Sequence, residues 1–412
     1  MKALILNFPM LVLTFIWGVV LSLFFSKLYY FHHVSAYTLF VLFSALFSIF
    51  AGYYLYHFFI KNKKSDHPKP SLVVNDTFFF YLILTLSSFI ILGTVVKIIE
   101  IGKLIGGVDT FLNNPLKVRQ TINDIGTNSL IAPSLAYKGA SYLINLGLPV
   151  TIFSGIFYTS NSRKRFIIIL ALVSTTFISL VDLSRFLFLT NISFFFISYI
   201  YSVYHVKKEQ QYILKKRGFR LLIILLLLTF SVFYGILRAR SFFLPSIWDL
   251  LYKYSYFYLV GGIPALDKFL VQDPALLYGM SIFKSVIKWF IRFDLWDSFD
   301  FMSYNLNFTT IAPGITLNTY TFVKSLYHDF GLIGVITGSF LWGFTARYLI
   351  HIYTNSFSII KLFGIVIFTF SYLMSFYNFY FEGITLYLLW FISAGTIQYI
   401  FKDKLFRIQQ QN

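Results

Sequence analysis

Moving a proton needs a carboxylate or an imidazole where a hydroxyl can reach it, and few residues of this chain qualify. His328-Asp329 abut a long apolar stretch, so either side chain is a candidate general base at a membrane surface. Asp329 is equally suited to capping the helix that follows, just before Gly331. Glu382 is a further candidate acid, and beside Gly383 it also reads as a solvated turn. Asp294, Asp297 and Asp300 recur every three residues but form no Asp-x-Asp pair, which disfavours a metal-bound sugar-nucleotide donor. No His-Glu-x-x-His, Gly-x-Ser-x-Gly or phosphate-loop sequence occurs, and the chain has no cysteine. The chemistry expected here calls for neither metal nor cofactor.

Cations are the other resource. Arginine suits a diphosphate because its planar fork binds phosphate oxygens in pairs and stays charged. Arg119, Arg238, Arg240 and Arg292 fall in stretches read as outer loops, and Arg185 closes Asp182-Leu183-Ser184-Arg185 between two apolar runs. A lipid-headgroup contact explains each singly, and an Asp182–Arg185 pair capping a tight hairpin explains the last. Lys284, Lys288 and Arg292 share one helical face while Ile282, Phe283, Val286, Ile287 and Phe290 cover the other, the pattern of a helix lying in a membrane interface. Tyr252, Tyr254, Tyr256 and Tyr258 alternate along the chain, as an aromatic belt or a sugar-stacking surface requires. Asn318 and Tyr320, in Asn318-Thr319-Tyr320-Thr321-Phe322, add polar groups for binding a substrate.

These residues must be positioned by membrane helices. Hydrophobic residues make up 58% of the chain and charged residues only 12%, so a soluble domain is excluded. The net charge of +18 lies in short Lys/Arg tracts between apolar runs, which fits the positive-inside bias and not nucleic acid. Ten stretches are long enough to span: about 3–25, 36–60, 77–96, 131–158, 166–184, 186–206, 221–237, 331–351, 362–381 and 384–401. Pro133 and Pro149 make the fourth irregular, and the first reads as an uncleaved span. Basic tracts at Lys61–Lys64, Arg163–Arg165, Lys207–Arg217 and Lys402–Lys404 put both termini in the cytoplasm. The expected fold is an all-α polytopic membrane protein, one integral domain over 1–412. A first outer loop runs over 97–130 and a large one over 238–330, between spans seven and eight.

The stretches Asn318–Phe322, Tyr327-His328-Asp329-Phe330-Gly331 and Gly334, entering a span with Gly338 and Gly343, resemble the signature of Wzy-type O-antigen polymerases. Tyr258–Ala265 and Ser184-Arg185 resemble two further recurring stretches of that family. The Arg-x(10)-Gly pattern of some members follows neither Arg119 nor Arg240. The resemblance implies a bacterial inner-membrane enzyme that joins lipid-linked oligosaccharide repeat units at its periplasmic face. A growing glycan would move from one undecaprenyl diphosphate carrier to the non-reducing sugar of another. Membrane lipids, a chain-length regulator and a flippase of the same pathway are the implied partners. The residues alone leave two alternatives: a ligase that passes glycan to lipid A core, and a lipid-linked oligosaccharide flippase.

Overall fold

A computed structural model describes residues 2–28, 31–59, 71–109, 114–126, 134–160, 163–181, 185–206, 255–292, 309–312, 315–317, 319–378, 391, 394–399 and 406–409. The chain is an all-α membrane protein. Among the described residues, five helices are long and apolar enough to cross a membrane: Leu6–Phe25, Ala36–Tyr56, Asp76–Ile105, Leu135–Tyr158 and Val323–Asn355. Leu187–Val203 and Ile359–Leu373 are shorter apolar helices. Helices answer the demand that hydrocarbon makes on a chain, because every backbone polar group is satisfied within its own segment. Two compact units are present: Met1–His67 with Ser246–Gly395, and Pro68–Pro245 with Thr396–Asn412.

In the first unit, α1 (Lys2–Phe25) and α2 (Ala36–Phe59) coincide with the first two expected spans. The short helices α9 (Ser255–Val260), α10 (Gly262–Val271) and α11 (Lys284–Arg292) follow, then the hairpin β2 (Thr309–Ala312) and β3 (Ile315–Leu317). The unit ends with α12 (Val323–Asn355) and α13 (Ile359–Leu373). α2 and α12 cross backbone to backbone. A Cβ on Gly52 would collide with the Phe340 carbonyl, and one on Gly343 with the Ile49 carbonyl. Without a hydrophobic drive between helices in lipid, such close contact is the main source of association. Phe322 is fully buried between Trp17 and Trp342, with ring centroids at 6.2 Å and 5.1 Å. Its backbone N–H donates to the Ser375 carbonyl at 2.9 Å, which ties the start of α12 to the end of α13. At the far end of α12 the buried Arg347 donates to the Leu6 carbonyl at 2.8 Å and faces the Tyr53 hydroxyl at 3.4 Å.

In the second unit, β1 (Ser71–Val74) pairs antiparallel with β4 (Phe406–Gln409). Between them lie α3 (Asp76–Ile105), α4 (Pro115–Gly126), α5 (Leu135–Ile144), α6 (Gly147–Tyr158), α7 (Ile167–Val181) and α8 (Arg185–Val203). The expected irregularity of the fourth span is a break at Asn145-Leu146 between α5 and α6. Pro149 then sits in the first turn of α6, where its missing N–H costs no hydrogen bond. α3 runs unbroken through Lys97, so the polar start expected for the first outer loop continues that helix. Lys97 itself is buried, with its ammonium 5.5 Å from the Tyr137 ring centre. The expected 166–206 hairpin appears as α7 and α8, flanking residues 182–184. The expected span at 221–237, and most of that at 384–401, lie outside the described residues.

Candidate functional site

Among the described residues, a dense polar cluster lies in the first unit, where the 31–35 connection, α10, the β2–β3 hairpin and the start of α12 meet. Ser35 caps α2: its Oγ accepts from the Thr38 N–H at 3.2 Å, and its carbonyl accepts from the Leu39 N–H at 3.3 Å. Against that cap stands Asp267 of α10, only 3% exposed. Asp267 Oδ1 accepts from the Ser35 N–H at 2.8 Å, from Ser35 Oγ at 2.7 Å and from Thr38 Oγ1 at 2.7 Å. Asp267 Oδ2 lies 3.1 Å from His32 Nε2. Burial pushes the Asp267 carboxyl up, but the hydrogen bonds from Thr38, Ser35 and His32 outweigh it and hold the group below the usual carboxylate range. A carboxylate at a helix N-terminus is also favoured by the helix dipole. His32 keeps a quarter of its side chain exposed, and its Nδ1 faces the Ile311 carbonyl of β2 at 3.4 Å.

Next to this cradle, Phe269 of α10 packs against Tyr320 and His328, with ring centroids at 6.2 Å and 5.1 Å. Lys324 holds its ammonium 3.8 Å from the Tyr320 ring centre and 5.2 Å from that of Phe269, a cation–π arrangement. Burial raises the Tyr320 phenol above its ordinary range, and a hydrogen bond with Thr309 opposes it. The buried hydroxyls of Thr319 and Thr321 have no hydrogen-bond partner among the described residues. The Tyr37 and Tyr327 hydroxyls meet at 3.1 Å on the exposed side.

Asp329 does something else. α12 begins at Val323, so Asp329 lies inside the helix and not at its N-cap. Its fully buried carboxylate accepts the Ser281 N–H at 2.9 Å and the Ile282 N–H at 2.7 Å. Both oxygens therefore cap the turn that leads into α11. The pairing extends along the backbone, with the Leu277 and Tyr278 N–H groups donating to the His328 and Asp329 carbonyls at 2.9 Å and 3.0 Å. α12 bends immediately afterwards: Phe330 has φ −140° and ψ 16°, and Gly331 has φ 61° and ψ −153°, a conformation open in practice only to glycine. Lys284, Lys288 and Arg292 lie along α11; Lys284 is half-buried, and the side chains of the other two lie outside the described set. Phe283 and Phe290 are 48% and 43% exposed while Ile287 is buried, so the apolar side of α11 is only partly covered by the protein.

Of the other candidates, Arg119 lies in α4 and Arg185 opens α8, both in the second unit, with side chains outside the described set. Arg238, Arg240, Asn318 and Glu382 lie outside the described residues, as do Asp182, Tyr252, Tyr254, Asp294, Asp297 and Asp300. Tyr256 is no free stacking platform: it stacks on Phe31 at 5.6 Å and donates its hydroxyl to the Leu23 carbonyl at 3.1 Å. The structure thus brings His328 and Tyr320 together and adds His32, Asp267, Ser35 and Lys324, which the motifs did not single out. One signal was present: Asp267 is the lone acid in the apolar run 259–271, a setting that demands a partner. No protein-family model matches the chain, and neither curated proteins nor solved structures give a significant match.

Proposed function

We propose that this chain is a polytopic inner-membrane glycosyltransferase that joins undecaprenyl-diphosphate-linked oligosaccharide repeat units on the outer face of the membrane. The observation that carries the reading is a convergence. Tyr258–Ala265 and Thr319–Gly334, the stretches that resemble the polymerase signature, meet where Gly262 lies against Thr321, and just beyond the first of them Phe269 packs on Tyr320 and His328 while Asp267 bonds to the 31–35 connection. Such a reaction asks for a cation beside the departing diphosphate, and Lys324, at the start of α12, offers one. The length of α12 supports a site at the surface. Its 33 residues reach about 50 Å, against about 30 Å of hydrocarbon, which leaves the part before the Phe330–Gly331 bend in the headgroup region. A ten-span topology with both termini in the cytoplasm puts that bend on the outer side.

Surface glycan from host cells lacking the chain provides the test. Loss of a polymerase leaves lipid A core capped with a single repeat unit, and the unaltered chain restores the ladder. Long glycan stranded on the carrier would indicate a ligase instead, and single repeats retained in the cytoplasm a flippase.

A further inference from the structure

Around α11 the protein leaves apolar side chains uncovered. Phe283 and Phe290 of α11 are exposed, as are Leu276 and Tyr278 before it and Phe330 at the bend of α12. They are neighbours in space: a Cβ on Gly279 would meet the Phe283 and Phe330 rings at 3.4 Å and 3.5 Å, and one on Gly331 the Leu276 side chain at 3.8 Å. α12 is long and apolar enough to cross a membrane, and its exposed Ile333, Ile336 and Leu341 form the side that acyl chains then cover. The apolar side of α11 runs into that side at Phe330, so lipid is the cover that fits both.

Charge selects the lipid. Residues 281–293 hold Lys284, Lys288 and Arg292 and no acid, and one turn separates each cation from the next. The acid against the start of α11, Asp329, is fully buried with its oxygens on the Ser281 and Ile282 N–H groups. We propose that α11 is a binding site for the anionic phospholipids of the bilayer surface, with Phe283 and Phe290 at the acyl boundary and the three cations at the level of the headgroup phosphates. A zwitterionic headgroup carries its own cation beside the phosphate and gains little from such a row, whereas a headgroup of net negative charge gains from each member of it. The site is separate from the polymerase reaction and does not rest on it.

The test reads which lipid touches α11. Phe290→Cys, the only thiol in the chain, carries a bimane fluorophore in the full-length protein, reconstituted in phosphatidylcholine vesicles with a minor fraction of phosphatidylglycerol. Either lipid is brominated on its acyl chains, and bromine quenches a fluorophore only on contact. Brominated phosphatidylglycerol is expected to quench as if enriched about fivefold or more around α11, the preference that one surface cation confers. Lys284→Gln, Lys288→Gln and Arg292→Gln together are expected to return quenching to the mole fraction without lowering the melting temperature. Phe283→Cys is the second reporter position, for use where Phe290→Cys does not insert. Quenching at the mole fraction before the charges are removed overturns the proposal. So does the absence of quenching by either lipid, which would put protein over α11. Undecaprenyl diphosphate added in trace amount separates the two sources of phosphate: if it displaces the brominated phosphatidylglycerol, the cations belong to the carrier and the proposal fails. A chain that selects anionic lipid but joins no repeat units would sink the polymerase reading alone.

Discussion

Asp329 is buried with both carboxylate oxygens occupied by backbone N–H groups, which suits a structural anchor better than a group that must meet substrate. Asn at this position keeps one acceptor and turns an amide N–H toward a backbone donor. Asp329→Asn should therefore cost about 1–3 kcal/mol, read as a lowered melting temperature in detergent. Glycan made per inserted protein should stay near that of the unaltered chain. An unchanged melting temperature with abolished glycan would return Asp329 to the reacting atoms. The sequence presented His328-Asp329 as the conspicuous acid–base pair because they are adjacent in the chain. His32 and Asp267 are 235 residues apart, and no local pattern ties one to the other. The motifs singled out neither residue, and the one local sign the sequence carries is the isolation of Asp267 among apolar neighbours.

Single helices were the most readable level, since about twenty apolar residues in a row admit few alternatives in a membrane. Their partners were not readable. Gly343 was visible as a small residue within a span, but nothing in the sequence pointed to Ile49 as the backbone it touches. Gly343→Ala must push α2 and α12 apart or drive a methyl into a carbonyl, and should destabilise by about 1–3 kcal/mol. Gly18→Ala in α1 is the control, since a Cβ there meets nothing within 4 Å and alanine is the better helix former. Thermal unfolding of the two variants checks the contrast, and equal melting temperatures would show that the crossing does not hold the helices. The helix that Asp329 was expected to cap starts earlier, at Val323, because Phe330-Gly331 reads as a boundary, whereas the structure bends there and keeps the turn before it helical.

Across the whole molecule, the proposed placement of the Phe330–Gly331 bend on the outer side of the membrane rests on charge counting. The absence of cysteine makes it easy to check. His33→Cys and Val271→Cys, both at exposed positions, should react with an impermeant thiol reagent in intact spheroplasts, and Ser356→Cys only after permeabilisation. The opposite pattern would invert the topology and remove the polymerase reading with it. The Asp329 anchor has a further consequence. It fastens the turn before α11, with its exposed Phe283 and its cations, to the point where α12 leaves its straight course. α12 must tilt as the bilayer thins or thickens, and α11 is tied to it. On the proposed reading, acyl-chain length is then expected to set how deep α11 rides at the lipid surface, and glycan output should vary with hydrophobic mismatch as well as with substrate.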